Sequence, residues 1–219
     1  LEDSVKILKI LEKAGVDAFD VDAGCYETLD YIFPPSYLGE SCMSYVCKAA
    51  REAVNVPLFT AGTLAPDSAL ALIESGVVDF TNMGRALIAD PYLPKKLMEG
   101  RPEDVRPCLR CNEYCIGRIW NKHTKLSCAV NPQAMEEVRF AIQKCETAKN
   151  VVVIGGGPAG MEAARVAALE GHHVTLYEKN DHLGGVMGDI CTASFKQNIK
   201  KLTEWYKTCL LYTSDAADD

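Results

Sequence analysis

VVVIGGGPAGMEAARVAALEGHHVTLYEK, residues 151–179, changes character three times. A short apolar run comes first, then a cluster of glycines, then an Ala-rich stretch with helical spacing of its larger apolar residues. Gly171 stands where that helix should stop, and HVTLY alternates like a second strand. The glycines follow the pattern Gly155-x-Gly157-x-x-Gly160. The triplet alone is common; its setting makes it specific, because a strand precedes it, a helix follows it and Glu178 ends the next strand, 18 residues after Gly160. In such a turn Gly155 permits the bend, Gly157 lets backbone N–H groups approach a pyrophosphate, and Gly160 lets helix and strand pack closely. The helix N-terminus favours the phosphate charge. Glu178 would accept hydrogen bonds from an adenosine ribose, and an acid there disfavours a 2′-phosphate, so FAD or NAD fits better than NADP.

Upstream, the pattern is different. Through about residue 100, short apolar runs (16–24, 56–62 and 77–85) alternate with amphipathic stretches near 41–54, 66–75 and 91–99. This βα alternation predicts a parallel sheet or a (β/α)8 barrel, hence an α/β fold. Between Gly24 and the next helix, CYETLDYIFPPSYLGES is a long connection after a strand's C-terminal end, expected to be unstructured and functional. The opening LEDSVKILKILEKAG reads as an amphipathic helix with Ile7, Ile10, Leu11 and Ala14 on one stripe. Its start in mid-pattern, at Leu rather than Met, leads us to expect a fragment.

Between these regions lies RPCLRCNEYCIGRIWNKHTKLSCAVNP, residues 106–132, followed by a polar helix-like run, AMEEVRFAIQKCETAKN. Cys108, Cys111, Cys115 and Cys128 are spaced C-x2-C-x3-C-x12-C. Zinc sites usually pair two C-x2-C knuckles, and only one is present, so the spacing favours an iron–sulfur cubane over structural zinc. The other six cysteines show no paired spacing, which suits a reducing compartment, and the cytoplasm is the expected location. A net charge of −7 argues against nucleic acid as a partner, and no apolar run approaches the ~20 residues of a membrane span.

The cysteine segment resembles the [4Fe–4S] segment of the multidomain old-yellow-enzyme relatives, a group that includes 2,4-dienoyl-CoA reductase, enoate reductase and trimethylamine dehydrogenase. Asn112 after the second cysteine and Asn131-Pro132 after the fourth match as well. The resemblance implies that Cys108, Cys111, Cys115 and Cys128 bind the cluster. It implies too that the first Rossmann unit binds the ADP half of FAD, with Gly185 in the following Leu183-Gly184-Gly185 as a second glycine contact. TAG (60–62) and MGR (83–85) fall at strand ends where a barrel holds phosphate, and by resemblance Gly62, Gly84 and Arg85 would bind the FMN phosphate. Tyr26, in a CYE triplet where dienoyl-CoA reductases have WHE, is the candidate catalytic or substrate-contacting residue.

On this basis residues 1–100 are expected to be the C-terminal part of an FMN-binding TIM barrel and 101–149 the cluster segment and linker. Residues 150–208 would open a Rossmann-like FAD/NAD(P)-binding domain. Residues 209–219 resemble a translated sequencing adapter that breaks the helical pattern of FKQNIKKLTEWYK, a non-native tail. The expected activity is NAD(P)H-dependent reduction of an activated C=C bond in a small enoyl-CoA, enoate or enone, with electrons passing from FAD through the cluster to FMN. An amine dehydrogenase of the trimethylamine dehydrogenase type is the alternative, and a zinc-bearing scaffold or electron carrier a third. The isolated piece is expected to be inactive, and nothing in its pattern signals an oligomeric state.

Overall fold

The computed structural model describes the backbone of residues 1–215 and the side chains of residues 1–211. The helices and strands, in chain order, are α1 (Glu2–Lys13), β1 (Phe19–Asp20), α2 (Leu29–Ile32), α3 (Ser44–Arg51), β2 (Leu58–Thr60), α4 (Pro66–Glu74), β3 (Phe80–Thr81), α5 (Gly84–Ala89), α6 (Leu93–Met98) and α7 (Ile116–Lys122). They continue with β4 (Asn150–Ile154), α8 (Pro158–Leu169), β5 (His173–Tyr177), α9 (Met187–Ile190) and α10 (Gln197–Asp215). The fold is α/β. It divides into two compact units: residues 1–87 with 110–112, and residues 88–109 with 113–219.

In the first unit β1, β2 and β3 lie in sequence order in one parallel sheet. Parallel neighbours require crossovers, and α3 and α4 supply them. Met43, Cys47, Ala50, Val54, Leu58, Leu72 and Val78 form the buried core between helices and sheet. Each large apolar side chain so buried contributes about 1.5–3 kcal/mol. The buried Thr60 hydroxyl donates to the Val21 carbonyl at 3.0 Å and accepts from the Cys47 thiol at 3.1 Å, so both polar side chains are satisfied within the core.

The α1 stripe expected from the sequence does not face inward: Ile7 and Ile10 are 54% and 66% exposed, and Leu8 instead meets the core. Glu12 explains the orientation, since its carboxylate accepts the Asn55 and Val56 N–H groups at 2.7 and 3.2 Å and turns that face toward the body. Nor is the 25–41 connection unstructured. It holds α2 and two 3-10 turns, Tyr26–Thr28 and Ser36–Leu38, the first closed by Cys25 N–H donating to the Thr28 hydroxyl at 2.9 Å. The run expected to be strand to residue 85 gives way to α5 at Gly84.

In the second unit β4 and β5 pair in parallel over five residues each, from Asn150↔His173 to Ile154↔Tyr177, with α8 as the crossover. Met161 and Ala164 of α8 are buried, and Met161 packs in one core with Met187, Leu202, Trp205 and Tyr206. Residues 134–149 form turns rather than the helix their polar pattern implied. Met135 has a left-handed φ of +64°, its N–H donates to the Glu137 carboxylate at 2.9 Å, and the Gln133 side chain donates to the Phe140 carbonyl at 2.7 Å. These local bonds compete with a helical ladder. The expected break at residue 209 is absent as well. The α10 helix runs on to Asp215, and Cys209 and Leu210 pack against the core; residues 216–219 of the expected tail lie outside the described residues. Among the described residues no helix is long and apolar enough to cross a membrane.

Candidate functional site

The glycine turn is built as its spacing predicts. The Gly155 N–H donates to the Tyr177 carbonyl at 2.7 Å, extending the β4–β5 ladder by one step, and Gly155 then bends the chain with φ +104°. A side chain on Gly160 would overlap the Gly155 carbonyl oxygen, so helix and turn touch backbone to backbone. Gly157 caps α8, whose first residue, Pro158, has no N–H to leave unsatisfied. A Cβ built on Gly155 or Gly157 meets no heavy atom within 4 Å, leaving the cradle at the head of the helix open to a phosphate-sized group. The Gly184 N–H donates to the Gly156 carbonyl at 2.8 Å, which brings Gly185 beside Gly157.

Glu178 does something the sequence reading missed. One carboxylate oxygen accepts the Asn180 N–H at 2.9 Å and the other the Gly156 N–H at 2.7 Å, so the acid pins the turn. Those backbone donors hold its pKa below the ordinary glutamate value. Each oxygen keeps a second lone pair for a ribose hydroxyl.

In the first unit the ends of the three strands are tied together by polar side chains. Asp22 accepts the Ala61 N–H at 3.3 Å, and Asn82 donates to Asp20 at 3.1 Å. Burial raises the Asp22 pKa above the usual carboxylate value. Gly62 follows β2 with φ +95°, and a Cβ there would sit 2.8 Å from Met43 Cγ. Gly84 opens α5 and Arg85 follows it. Arg85 Nη1 donates to the Pro34 carbonyl at 2.7 Å and to Asn112 Oδ1 at 2.6 Å; its Nε and Nη2 make no hydrogen bond among the described residues. Tyr26 begins a 3-10 turn with its ring 77% exposed, and a hydrogen bond with the Cys25 thiol holds the pKa of the neighbouring Glu27 down.

The four cysteines are free thiols. Cys108 and Cys128 pack against the apolar core of the second unit, Cys115 caps α7, and Cys111 belongs with the first unit. Among the described residues no group of three or more His, Cys, Asp or Glu is arranged to hold a metal ion. The segment is anchored by its neighbours: Asn198 donates to the Cys108 carbonyl at 2.8 Å and Asn131 to the Ile88 carbonyl at 2.9 Å.

Beneath it lies a charged network with no counterpart in the sequence reading. Arg106 donates to the Val130 carbonyl at 2.9 Å and to Asn131 at 3.2 Å, and its guanidinium stacks 4.5 Å from the Trp205 ring. Arg165 grips both oxygens of Glu162 at 2.7 and 2.9 Å. Burial lowers the Arg106 pKa. It opposes the charge on Arg165 too, but there the bonds to Glu162 prevail and the pKa rises. Burial also pushes the Tyr206 hydroxyl up and the Cys209 thiol to about 11. The one available signal was Glu162 and Arg165, three apart on an otherwise apolar helix.

A family described as FAD dependent oxidoreductase matches residues 150–208. Cinnamate reductase of Clostridium sporogenes is 40% identical over 211 residues, 96% of this chain and 32% of the relative. A solved 2-naphthoyl-CoA reductase in complex with 2-naphthoyl-CoA superposes with a TM-score of 0.90 at 31% identity, over 97% of this chain and 33% of that one. Histamine dehydrogenase from Rhizobium sp. 4-9 does so with 0.82 at 30% identity, over 96% and 31%. The chain thus spans about a third of the length of the proteins it matches. By these matches, and by the motifs that carry them, the chain belongs to the family of flavin oxidoreductases that includes the 2,4-dienoyl-CoA and enoate reductases and trimethylamine dehydrogenase.

Proposed function

We propose that this chain is part of an NAD(P)H-dependent iron–sulfur flavoenzyme that reduces activated C=C bonds. In this reading its first 100 residues contain the C-terminal part of an FMN-binding (β/α)8 barrel, and residues 150–208 open a Rossmann-like FAD domain. The observation that carries the reading is the glycine turn at 155–160, locked by Gly160 and Glu178 with its cradle open at the head of α8. The sequential, all-parallel order of β1, β2 and β3 supports the barrel, since a doubly wound sheet reverses its order at a switch point.

Gly155, Gly157, Gly160 and Gly185 would line the FAD pyrophosphate, with Glu178 on the ribose. Gly62 and Gly84 would offer backbone to the FMN phosphate, and the Nε–Nη2 edge of Arg85 would grip two of its oxygens. Cys108, Cys111, Cys115 and Cys128 would supply the four thiolates of a [4Fe–4S] cluster. One tetrahedral zinc ion needs sulfurs about 3.8 Å apart for bonds of about 2.3 Å. A cubane takes each thiolate on a different iron, so its four sulfurs stand further apart around one shared centre than the ligands of a single zinc ion. When bound, these groups would split a hydride pair from NAD(P)H into single electrons and regroup it for an electron-poor alkene. Tyr26, exposed after β1, would contact the substrate, an enoyl-CoA, enoate or enone. The similarity to cinnamate reductase and to 2-naphthoyl-CoA reductase favours this chemistry, and that to histamine dehydrogenase favours amine oxidation as the second reading.

Purification of the full-length protein that carries these residues tests the proposal. FMN, FAD and about four irons per chain are expected, with brown absorbance bleached by dithionite and NADH-driven loss of cinnamate or an enoyl-CoA. Zinc without iron overturns the cluster. Turnover of methylated amines without alkene reduction overturns the reductase in favour of the second reading.

A further inference from the structure

Next to Cys111, the side chain of Asn112 joins Arg85 to the connection that follows β1. Its Oδ1 accepts from Arg85 Nη1 at 2.6 Å, and its Nδ2 donates to the Phe33 carbonyl at 2.7 Å. Arg85 Nη1 also donates to the next carbonyl, that of Pro34, at 2.7 Å. An amide and a guanidinium thereby clamp two successive carbonyls of the connection after β1, and Arg110 adds an ion pair to Glu40 at 3.3 Å further along it. Asn112 has φ +56°, in the left-handed region that asparagine tolerates better than other side chains. A single residue therefore satisfies both a backbone demand and a donor–acceptor demand.

The consequence falls on Arg85. With Nη1 consumed by the clamp, the remaining Nε–Nη2 edge is the one that binds two phosphate oxygens side by side, and the clamp removes the rotamer freedom that a free arginine would lose on binding. Building on the FMN assignment proposed above, we infer that Asn112 is a positioning residue. It holds Arg85 ready for the FMN phosphate and ties that arginine to the residue next to it, Cys111.

The test is a double-mutant cycle in the full-length protein, using Asn112→Gly, which keeps the left-handed backbone, and Arg85→Ala. FMN release on dilution is followed by fluorescence, with FAD, iron content and thermal unfolding measured on the same samples. Asn112→Gly is expected to weaken FMN retention about tenfold, with FAD and iron unchanged. Arg85→Ala should weaken it more, and the double variant no further than Arg85→Ala alone, because one residue acts through the other. Should Asn112→Gly not fold, Asn112→Ala, which loses the same two hydrogen bonds, takes its place in the cycle, and about tenfold weaker retention is again expected. Additive effects, or unchanged FMN retention in the Asn112 variant where Arg85→Ala loses the flavin, overturn the positioning role alone. A loss of iron parallel to the loss of FMN overturns it as well, since the effect would then pass through the cysteines. Wild-type protein that holds FAD and iron but no FMN overturns the parent assignment and this one with it.

Discussion

The two phosphate cradles proposed for this chain are made in opposite ways. The turn at 155–160 is built from backbone: Gly155 bends, Gly160 admits the helix, and Glu178 pins Gly156, all within one βαβ unit. The Arg85 site is built from side chains and carbonyls at 33–34, 85 and 112, stretches with no common periodicity. A backbone cradle needs only residue types that permit its φ values and its close contacts, so its requirements are written locally. A side-chain cradle needs distant segments to arrive in register, and its specification is spread over the fold that delivers them.

Three substitutions break or sharpen that contrast. The largest effect is expected at Glu162, which separates two buried guanidiniums. Glu162→Gln leaves Arg106 and Arg165 facing one another over Trp205 and should cost about 3 kcal/mol, read from the urea midpoint. A smaller loss would mean that α8 is held mainly by its apolar contacts. Next, Gly160→Ala forces a methyl against the Gly155 carbonyl and should cost about 2 kcal/mol with FAD content falling sharply while FMN content stays. Equal loss of both flavins would erase the distinction between the two cradles. The smallest effect is expected at Asp79, which accepts the Leu58 N–H at 2.8 Å and pairs with Arg51, fastening β2 to the segment that leads into β3.

The Leu58 N–H first, and then Arg51, hold the Asp79 pKa below its ordinary value. A depressed folded pKa stabilises the fold above the unfolded value, about 3.9, and the contribution disappears as pH falls through the folded value. Because the side chain is 44% exposed, the contribution should be under about 1 kcal/mol. Unfolding midpoints of Asp79→Asn should therefore lie slightly below wild type from pH 5 to 7 and approach it as pH falls below the unfolded value of the carboxyl. Curves that stay parallel throughout would remove Asp79 from the account.

The elements expected from sequence divide along the same line. The periods of β4, α8 and β5 and the stop at Gly171 were legible because each rests on neighbours in the chain. The α1 stripe was misjudged because Glu12, bonding to Asn55 and Val56, outweighs the apolar spacing in setting which face turns inward. The run at 134–149 has helical composition but no helix, since side chain to backbone bonds at Gln133 and Glu137 capture it first. Asn112 was noticed only as a motif match; that it clamps Arg85 appears once residues 33, 85 and 112 are brought together.

What the amino-acid order determined by itself is the βαβ unit with its glycine turn and the cysteine spacing, because φ preferences, helical period and close backbone approach act over a few residues. Only the tertiary structure decided which edge of Arg85 stays free, where Glu178 spends its carboxylate, and that Arg106, Glu162 and Arg165 share one buried network. Those outcomes depend on side chains distant in sequence competing for the same donors and acceptors, and no local pattern records who wins.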